Sequence, residues 1–479
     1  MNSQSIVERR YVGGKERLAF GVALGGQGVS LHIINNYLNY FFINIFHVNS
    51  NIVAAMLLAE GIWDTVNDPL MGALIDRTRT RWGKLRPYLL AVPIPMALTT
   101  VALFAGPILI KNPGENALSK VFYIFVTYFL WETFYTISDI PFWGMSAAVS
   151  PNPQDRTRII SYARFISGCF GGLPTMAVPV ILDLSNKPGG LDIKKAFFII
   201  GLIAGIAGMG LFSLAGLKVR ERIVQSEEQP SLRECLDCIV KNPPLRLLIL
   251  RNFIYALCNT GNAFSTYFFL DVLGSASYSV LAAVPGGFTD PLSYVFIPAI
   301  KKRFNNKQIV IFSQLLISLL HAGTYFIGVR WKRNVLFMVA LMMAKNGIEA
   351  LFNGASFVIP TEMVGETVDY MEWKTGWRPE GVNFSVLSFF NKITGVIARA
   401  LGAYLLKPIG YQTSAANAMV PQTERTKQGI WFMLMAFPVI FRLLSLIPMF
   451  FYDLVGKKRD TMMEEIAVRR AERSQEVSE

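Results

Sequence analysis

The chain has 479 residues, of which 52% are hydrophobic and 16% charged, with a net charge of +13 and a mean hydropathy of +0.38. Soluble proteins carry about 25% charged residues, so this composition excludes an ordinary soluble domain and is typical of a polytopic membrane protein. The basic residues flank apolar segments instead of forming a soluble patch interleaved with aromatic residues. We therefore expect contact with membrane lipid and no nucleic-acid partner.

Apolar segments of roughly 20–30 residues follow one another along the chain, each long enough to cross about 30 Å of hydrocarbon. The sequence predicts twelve of them, at about 17–46, 51–75, 85–106, 119–149, 158–184, 194–218, 246–274, 277–300, 308–329, 335–363, 381–408 and 428–453. This pattern predicts an all-α integral membrane protein with twelve transmembrane helices in two six-helix bundles, which is the major facilitator fold.

The longest interior polar segment separates six predicted spans from six. It predicts an N-terminal bundle at 1–218, a central cytoplasmic loop at 219–245, a C-terminal bundle at 246–453 and a cytoplasmic tail at 454–479. The links after spans 2 and 8 are rich in Lys and Arg, whereas those after spans 1 and 7 ("HVNSN" and "GSAS") have none. Because basic links lie inside, we expect a cell (inner) membrane protein with both termini cytoplasmic.

A short internal repeat links the two halves. Asp68-Pro69-Leu70 in span 2 corresponds to Asp290-Pro291-Leu292 in span 8, and "DIPFWG" in span 4 corresponds to "VIPTEM" in span 10. Transporters built from two parallel six-span repeats place their substrate site near the middle of the membrane, between the repeats.

Three polar residues share one face of span 2. Asp64, Asn67 and Asp68 are spaced i, i+3, i+4, and Glu60 extends this acidic face by one turn. A charge at mid-membrane costs about 2.5–3.5 kcal/mol, so the acids need a partner or water. Pairing with basic residues of other helices is one explanation. Acids outnumber bases in the N-terminal spans, which favours a bound Na⁺ or, alternatively, protonation of one carboxylate.

Spans 4 and 5 add a second polar group. Thr136 and Asp139 share a face of span 4, and Trp143 follows one turn later, either as a lipid-interface anchor or as a platform for a sugar ring. Arg164, near the start of span 5, is predicted to form a bidentate ion pair with Asp139 that leaves donors and acceptors for hydroxyl groups.

The C-terminal spans carry fewer candidates. Lys345 and Glu349 lie i, i+4 in span 10 and are explained by pairing with each other. Lys392 in span 11 has no acid within one turn, so we expect it to face the central cavity. Cys235 and Cys238 form a CxxC without a second Cys or His pair, so we expect no zinc site there.

Four stretches resemble the glycoside–pentoside–hexuronide:cation symporter family (melibiose permease-like) of the major facilitator superfamily. They are "WDTVNDPLMGALIDRTRTRWGKLRP", "YTISDIPFWGM", "YARF" and "VDYMEWKTGWRPEGVNFSVLSFFNKI". They come from both halves, and the twelve-span plan extends the similarity over nearly the whole chain. The resemblance implies cation-coupled symport of a glycoside, pentoside or hexuronide by alternating access, with no cofactor.

The resemblance also implies roles for particular residues. By matching motif positions, the site for the coupling ion (Na⁺, Li⁺ or H⁺) comprises Asp64, Asn67, Asp68 and Thr136. The sugar site takes in Asp139, Trp143 and Arg164, with Lys392 near both sites. Glu60 and Glu132 have no position in the motif.

One departure from the family pattern lies in span 1. Melibiose-type members have a Lys-Asp pair there, whereas this chain has Gln27 and Gly28 in "FGVALGGQGVSL". Gln27 still offers hydrogen bonds to sugar hydroxyls but carries no charge that would repel an anionic sugar. Melibiose is therefore disfavoured as the substrate, and another glycoside, a pentoside or a uronide stays open.

Two other functions compete with sugar symport. The first is a cation-coupled carrier of a non-sugar amphiphile, against which the cavity candidates are hydroxyl-binding types. The second is a transporter-like membrane sensor, which has no need of the complete cation set. An enzyme is disfavoured, since no nucleophile–base or metal-ligand spacing occurs around the three histidines. We expect a monomer.

Overall fold

The computed structural model describes residues 10–111, 114–150, 153–187, 189–222, 237, 239–331, 334–376, 380–413 and 420–476. Within these ranges the secondary structure is helical, and no strand is formed. The all-α fold predicted from the sequence is confirmed.

Each predicted span coincides with a helix or with consecutive helical pieces. The helices are α1 (Gly14–Tyr40, continued by a wider turn at Phe41–Ile45), α2 (Ser50–Arg77), α3 (Arg86–Ala91 and Pro93–Leu109), α4 (Leu118–Ala148), α5 (Pro153–Ser185), α6 (Ile193–Leu202, Ile203–Gly208 and Met209–Lys218), α7 (Pro243–Ala256, Leu257–Phe264, Ser265–Tyr267 and Phe268–Val272), α8 (Tyr278–Lys301), α9 (Asn306–Trp331), α10 (Val335–Ala350 and Asn353–Thr375), α11 (Glu380–Leu405), α12 (Glu424–Trp431, Phe432–Ala436 and Phe437–Phe451) and α13 (Lys457–Glu476).

Eight helical stretches in the described part of the chain are long and apolar enough to cross a membrane. The helices α2 and α4 are long enough but are not among these eight, while the apolar piece Pro93–Leu109 of α3 is short. The acidic face of α2 lowers its mean hydropathy, as expected for a span that contains a polar site. The number of twelve spans is consistent with these helices and stays a prediction.

The chain forms two compact units. The first consists of Met1–Glu228 with the short segments Ser275–Ser277 and Ala403–Gln422, and the second consists of Gln229–Gly274, Tyr278–Gly402 and Thr423–Glu479. The domain limits drawn from the sequence, at 218, 245 and 453, stay predictions.

Small residues allow α1 to pack closely against α6 in the first unit. A Cβ atom added at Gly26 would lie 2.2 Å from the carbonyl oxygen of Gly208, so the two backbones meet where neither has a side chain. Ser30 on the next turn of α1 donates a hydrogen bond to the carbonyl oxygen of Ala204 at 3.2 Å. Such close approach at small residues is a common way for membrane helices to associate.

A carboxylate near the end of α5 holds one of the short segments in the first unit. Asp183 accepts hydrogen bonds from the Ser275 hydroxyl at 2.6 Å and from the backbone N–H groups of Ala276 and Ser277 at 2.7 and 2.9 Å. Three donors on one carboxylate make a strong, charge-assisted contact.

The segment predicted as a tail contains a helix that packs in the second unit. Met462 and Ile466 of α13 are buried in an apolar cluster with Ile359 and Met363 of α10 and Tyr452. Their i, i+4 spacing puts both on one face of α13.

Polar contacts surround this apolar face. Arg459 of α13 donates to Glu366 of α10 at 2.6 Å, and the amide of Asn306 donates to the same Glu366 oxygen at 3.0 Å. Further along, the indole N–H of Trp373 donates to Glu465 at 2.6 Å. The helix is therefore fixed at both ends of its buried face.

Two adjacent methionines test whether α13 contributes to stability. Met462→Ala removes a buried side chain and is expected to lower the free energy of unfolding by about 2–5 kcal/mol. Met463→Ala is the matched control, because Met463 is 39% exposed, and surface substitutions usually stay within about 0.5 kcal/mol. Thermal unfolding of the detergent-solubilised protein measures both. Equal midpoints for the two variants would contradict the docking of α13.

Candidate functional site

Helix α4 connects the candidate residues of the first unit. Its side chains contact residues from α1, α2 and α5 through hydrogen bonds and a stacked pair. These contacts are Gln27 with Ser138, Trp63 with Thr133, Asp64 with Thr136, and Arg164 with Trp143. Of the residues predicted for ion and sugar binding in this unit, Gln27, Asp64 and Arg164 therefore contact α4, which itself carries Thr136, Asp139 and Trp143.

The acidic face of α2 lies near the middle of its helix. Asp64 is 14 residues from the start of Ser50–Arg77, about 21 Å along the axis. Thr136 of α4 is buried, and its hydroxyl donates a hydrogen bond to Asp64 Oδ1 at 3.2 Å. Asn67 is buried one turn after Asp64, and Asp68 is half-buried. The structure thus brings Asp64 and Thr136 into direct contact.

The donor set of this face suits a monovalent cation. Two carboxylates, an amide and a hydroxyl supply hard oxygen ligands, and the Thr136 hydroxyl keeps its lone pairs while donating its proton to Asp64. Among the described residues, no three His, Cys, Asp or Glu side chains gather as a metal site.

Asp139 contacts an aromatic pair to which the sequence analysis gave no role. The Tyr135 hydroxyl donates to Asp139 Oδ1 at 3.5 Å, and the Tyr135 ring stacks on Trp131 with a centroid distance of 5.4 Å. Trp131 in turn donates its indole N–H to Thr100 at 3.0 Å. Tyr135 lies four residues before Asp139, so helical spacing was a signal that could have identified it.

Arg164 adopts a different contact from the predicted ion pair with Asp139. Its guanidinium carbon lies 4.5 Å from the centre of the Trp143 ring. A cation over an aromatic face is stabilised by the ring quadrupole and keeps its N–H groups for other acceptors. Trp143 is half-buried beneath this cation, and its role as a platform for a sugar ring or as a lipid-interface anchor stays a prediction.

Gln27 is buried between α1 and α4. Its amide nitrogen donates to the Ser138 hydroxyl at 2.8 Å, and Ser138 donates to the carbonyl oxygen of Tyr135 at 2.7 Å. This chain of bonds positions α4 against α1. Direct contact of Gln27 with sugar stays a prediction.

The remaining residues that the sequence singled out fall into three groups. Lys392 is exposed on α11 in the second unit, and Arg399 is half-buried two turns later. Glu60 and Glu132 are buried in the first unit, and their roles stay open. The CxxC cysteines, Cys235 and Cys238, lie outside the described residues.

A buried charged cluster in the second unit is larger than the sequence predicted. The pairing of Lys345 with Glu349 is confirmed, with Nζ and Oε2 2.5 Å apart. Glu349 also accepts from Arg442 of α12 at 2.8 Å and contacts His321 Nε2 of α9 at 3.0 Å. Because a carboxylate only accepts hydrogen bonds, His321 carries its proton on Nε2. One carboxylate therefore serves three basic side chains from three helices.

Comparison with known proteins identifies the family of this chain. The profile described as MFS/sugar transport protein matches residues 19–456. The isoprimeverose transporter of Lactiplantibacillus pentosus is 26% identical over 477 residues, covering 98% of this chain and 94% of that protein. The glucuronide carrier protein homolog of Escherichia coli (strain K12) is 26% identical over 447 residues, covering 92% and 93%.

Solved structures give the same fold. A bacterial homologue of the iron transporter ferroportin aligns with a TM-score of 0.60 at 14% identity, covering 94% of this chain and 99% of that one. The nucleoside transporter NupG aligns with a TM-score of 0.58 at 14% identity, covering 91% and 100%. The family profile spans most of the chain, so this protein belongs to the MFS/sugar transport protein family and is a multi-pass membrane transporter, not an enzyme.

Proposed function

We propose that the protein is a secondary active transporter that couples the movement of a sugar to that of a monovalent cation, by alternating access. The observation that carries the proposal is the convergence on α4. Thr136 binds Asp64 of the cation face, while Asp139 and Trp143 of the sugar face follow on the next turns. A ligand in the cation site therefore contacts the same helix, α4, that carries the sugar-site residues.

Electrostatics explain why the two ligands bind together. Asp64 and Asp68 lie within a membrane span, where uncompensated charge is costly. A bound cation offsets that charge and fixes Thr136, which steadies the face of α4 that carries Asp139. By linkage, each ligand raises the affinity for the other by the same factor, typically worth about 1–3 kcal/mol.

A glycoside, pentoside or hexuronide is the proposed substrate class. The relatives are named for isoprimeverose, glucuronide and, in Lactobacillus delbrueckii subsp. bulgaricus, lactose. The neutral Gln27 sits where melibiose-type members carry a carboxylate, and this favours a substrate other than melibiose. The coupling ion is Na⁺, Li⁺ or H⁺.

The membrane setting is part of the proposal. Basic links after α2 and α8 support a topology with both termini in the cytoplasm, in the cell (inner) membrane of a bacterium. The transporter acts as a monomer surrounded by membrane lipid.

Uptake into proteoliposomes tests the function. Labelled isoprimeverose, lactose, a glucuronide and a pentose are offered under imposed Na⁺, Li⁺ or H⁺ gradients. We expect at least one sugar to accumulate above its equilibrium level, and to stop accumulating when an ionophore collapses the gradient. Protein-free liposomes control for leakage. The absence of gradient-driven uptake of every glycoside, pentoside and uronide would refute sugar symport.

A further inference from the structure

Helix α8 has one buried face and one exposed apolar face. Ala282, Ser293 and Ile297 are buried against the rest of the second unit. An opposite stripe is strongly apolar and exposed, with Phe288 at 76%, Leu292 at 48% and Val295 at 70%. In a membrane protein, this exposed apolar stripe is the face that lipid covers.

A third face of α8 is accessible but polar. Asp290 is half-buried there, and Tyr294, one turn later, is 41% exposed. At 100° per residue, these two side chains point about 150° away from the lipid stripe. Asp290 is also about 16–18 Å from either end of the helix, hence near mid-membrane. A carboxylate at that depth, on an accessible face turned away from the apolar stripe, is accommodated by water or polar groups and not by lipid.

Helix α10 is broken next to this carboxylate. Its first piece ends at Ala350 and its second begins at Asn353. The Asn353 amide donates to Asp290 Oδ1 at 2.6 Å, and the N–H of Gly354 donates to the Ser293 hydroxyl at 2.9 Å. Broken helices at mid-membrane are where transporters place ligand-binding groups. Here the break both orients Asp290 and adds an amide beside it.

We propose that Asp290, Tyr294 and Asn353, all within the second unit, form a hydroxyl-binding site for the transported sugar. The inference rests on the sugar symport proposed above. The carboxylate accepts hydrogen bonds from neighbouring hydroxyls, the Asn353 oxygen accepts another, and the Tyr294 ring offers a face for the C–H groups of a pyranose. The carboxylate repels a uronate group, so the site takes the neutral, hydroxylated ring of the substrate.

The internal repeat makes a cation the obvious rival occupant, and the residues argue against it. Asp290 corresponds in the repeat to Asp68, but α8 contains no other carboxylate, whereas α2 has Asp64 one turn away. The partner of Asp290 is an amide N–H group, which directs positive charge at the carboxylate. In the first unit, Asp64 accepts a hydrogen bond from the Thr136 hydroxyl, which retains lone pairs for a cation. The second half of the chain thus retains an aspartate at the position that corresponds to Asp68. The groups around that aspartate suit sugar hydroxyls and not a cation.

Uptake kinetics of Asp290→Asn test the site in proteoliposomes, with the panel sugar that the wild-type protein transports fastest as probe. We expect the KM for that sugar to rise by about 10-fold or more, since a charge-assisted bond is lost. The maximal rate at saturating sugar and the cation concentration for half-maximal uptake should stay unchanged. Asp237→Asn is the control, because Asp237 is 50% exposed and pairs with Lys241, four residues further along the chain.

Tyr294→Phe and Tyr294→Ala provide a second pair that does not disturb the Asp290–Asn353 bond. The Phe variant keeps the aromatic face and should retain a KM within about 3-fold of the wild type, while the Ala variant should raise the KM about 10-fold. A wild-type KM in both Asp290→Asn and Tyr294→Ala, with cation-driven uptake intact, would overturn this site and leave symport standing. Loss of cation dependence in Asp290→Asn would also overturn it, since it would assign Asp290 to the ion.

Discussion

Replacing Asp64 by Asn is expected to abolish the stimulation of sugar binding by the coupling cation. The substitution keeps the shape of the side chain and its contact with Thr136 but removes the charge that a cation neutralises. Coupling energies of about 1–3 kcal/mol correspond to roughly 5- to 150-fold stimulation, and all of it should disappear. Asp68→Asn is expected to act in the same way, since Asp68 lies on the same face of α2.

Sugar binding to purified protein, measured by calorimetry with and without Na⁺, Li⁺ or a pH step, gives the stimulation directly. Asp460→Asn is a suitable control, because Asp460 is 66% exposed on α13. A second pair isolates the hydroxyl on α4. Thr136→Ser should keep the cation effect, and Thr136→Val should weaken it. If Asp64→Asn retained the full stimulation, Asp64 would not belong to the cation site.

Replacing Glu349 by Gln is expected to destabilise the second unit strongly. Glu349 is the acceptor that joins Lys345, Arg442 and His321. In the Gln variant, the buried side chains of Lys345 and Arg442 no longer face a negatively charged carboxylate. Removing one member of a buried ion pair costs about 3–5 kcal/mol, because the remaining charge is left uncompensated in a poorly solvated place.

Thermal unfolding in detergent measures this loss as a fall in the midpoint temperature. Glu424→Gln is the matched control, since Glu424 is 69% exposed and its pairing with Lys427 at 3.8 Å is loose. Exposed ion pairs contribute about 0–1 kcal/mol. If the midpoint temperature of Glu349→Gln stayed as close to the wild-type value as that of Glu424→Gln does, the structural role of the cluster would be contradicted.

Much of the fold follows from patterns within single helices. Apolar length is enough to locate most of the helices, though not α13, and the i, i+3, i+4 spacing is enough to place Asp64, Asn67 and Asp68 on one face of α2. The pairing of Lys345 with Glu349 follows from the same rule. These features depend only on helical geometry, so they can be predicted from the order of residues along the chain.

Features that depend on the packing of different helices were missed. Nothing local connects His321 and Arg442 with Glu349, because they come from α9, α12 and α10 and meet only in the folded bundle. Arg164 was expected to choose a carboxylate and contacts the Trp143 ring instead. The break in α10 after Ala350 was also missed, although Asn353-Gly354 at the start of the second piece is a dipeptide typical of turns.

The docking of α13 matters for how the protein is handled in the laboratory. Residues 457–476 look dispensable in the sequence, and a fluorescent reporter is commonly attached near the end of such a chain. Because Met462 and Ile466 fill the apolar cluster beneath α10, a fusion that replaces this helix would leave that cluster uncovered and favour aggregation. Reporters and affinity tags should follow Glu479, after a flexible linker, so that the helix stays in its place.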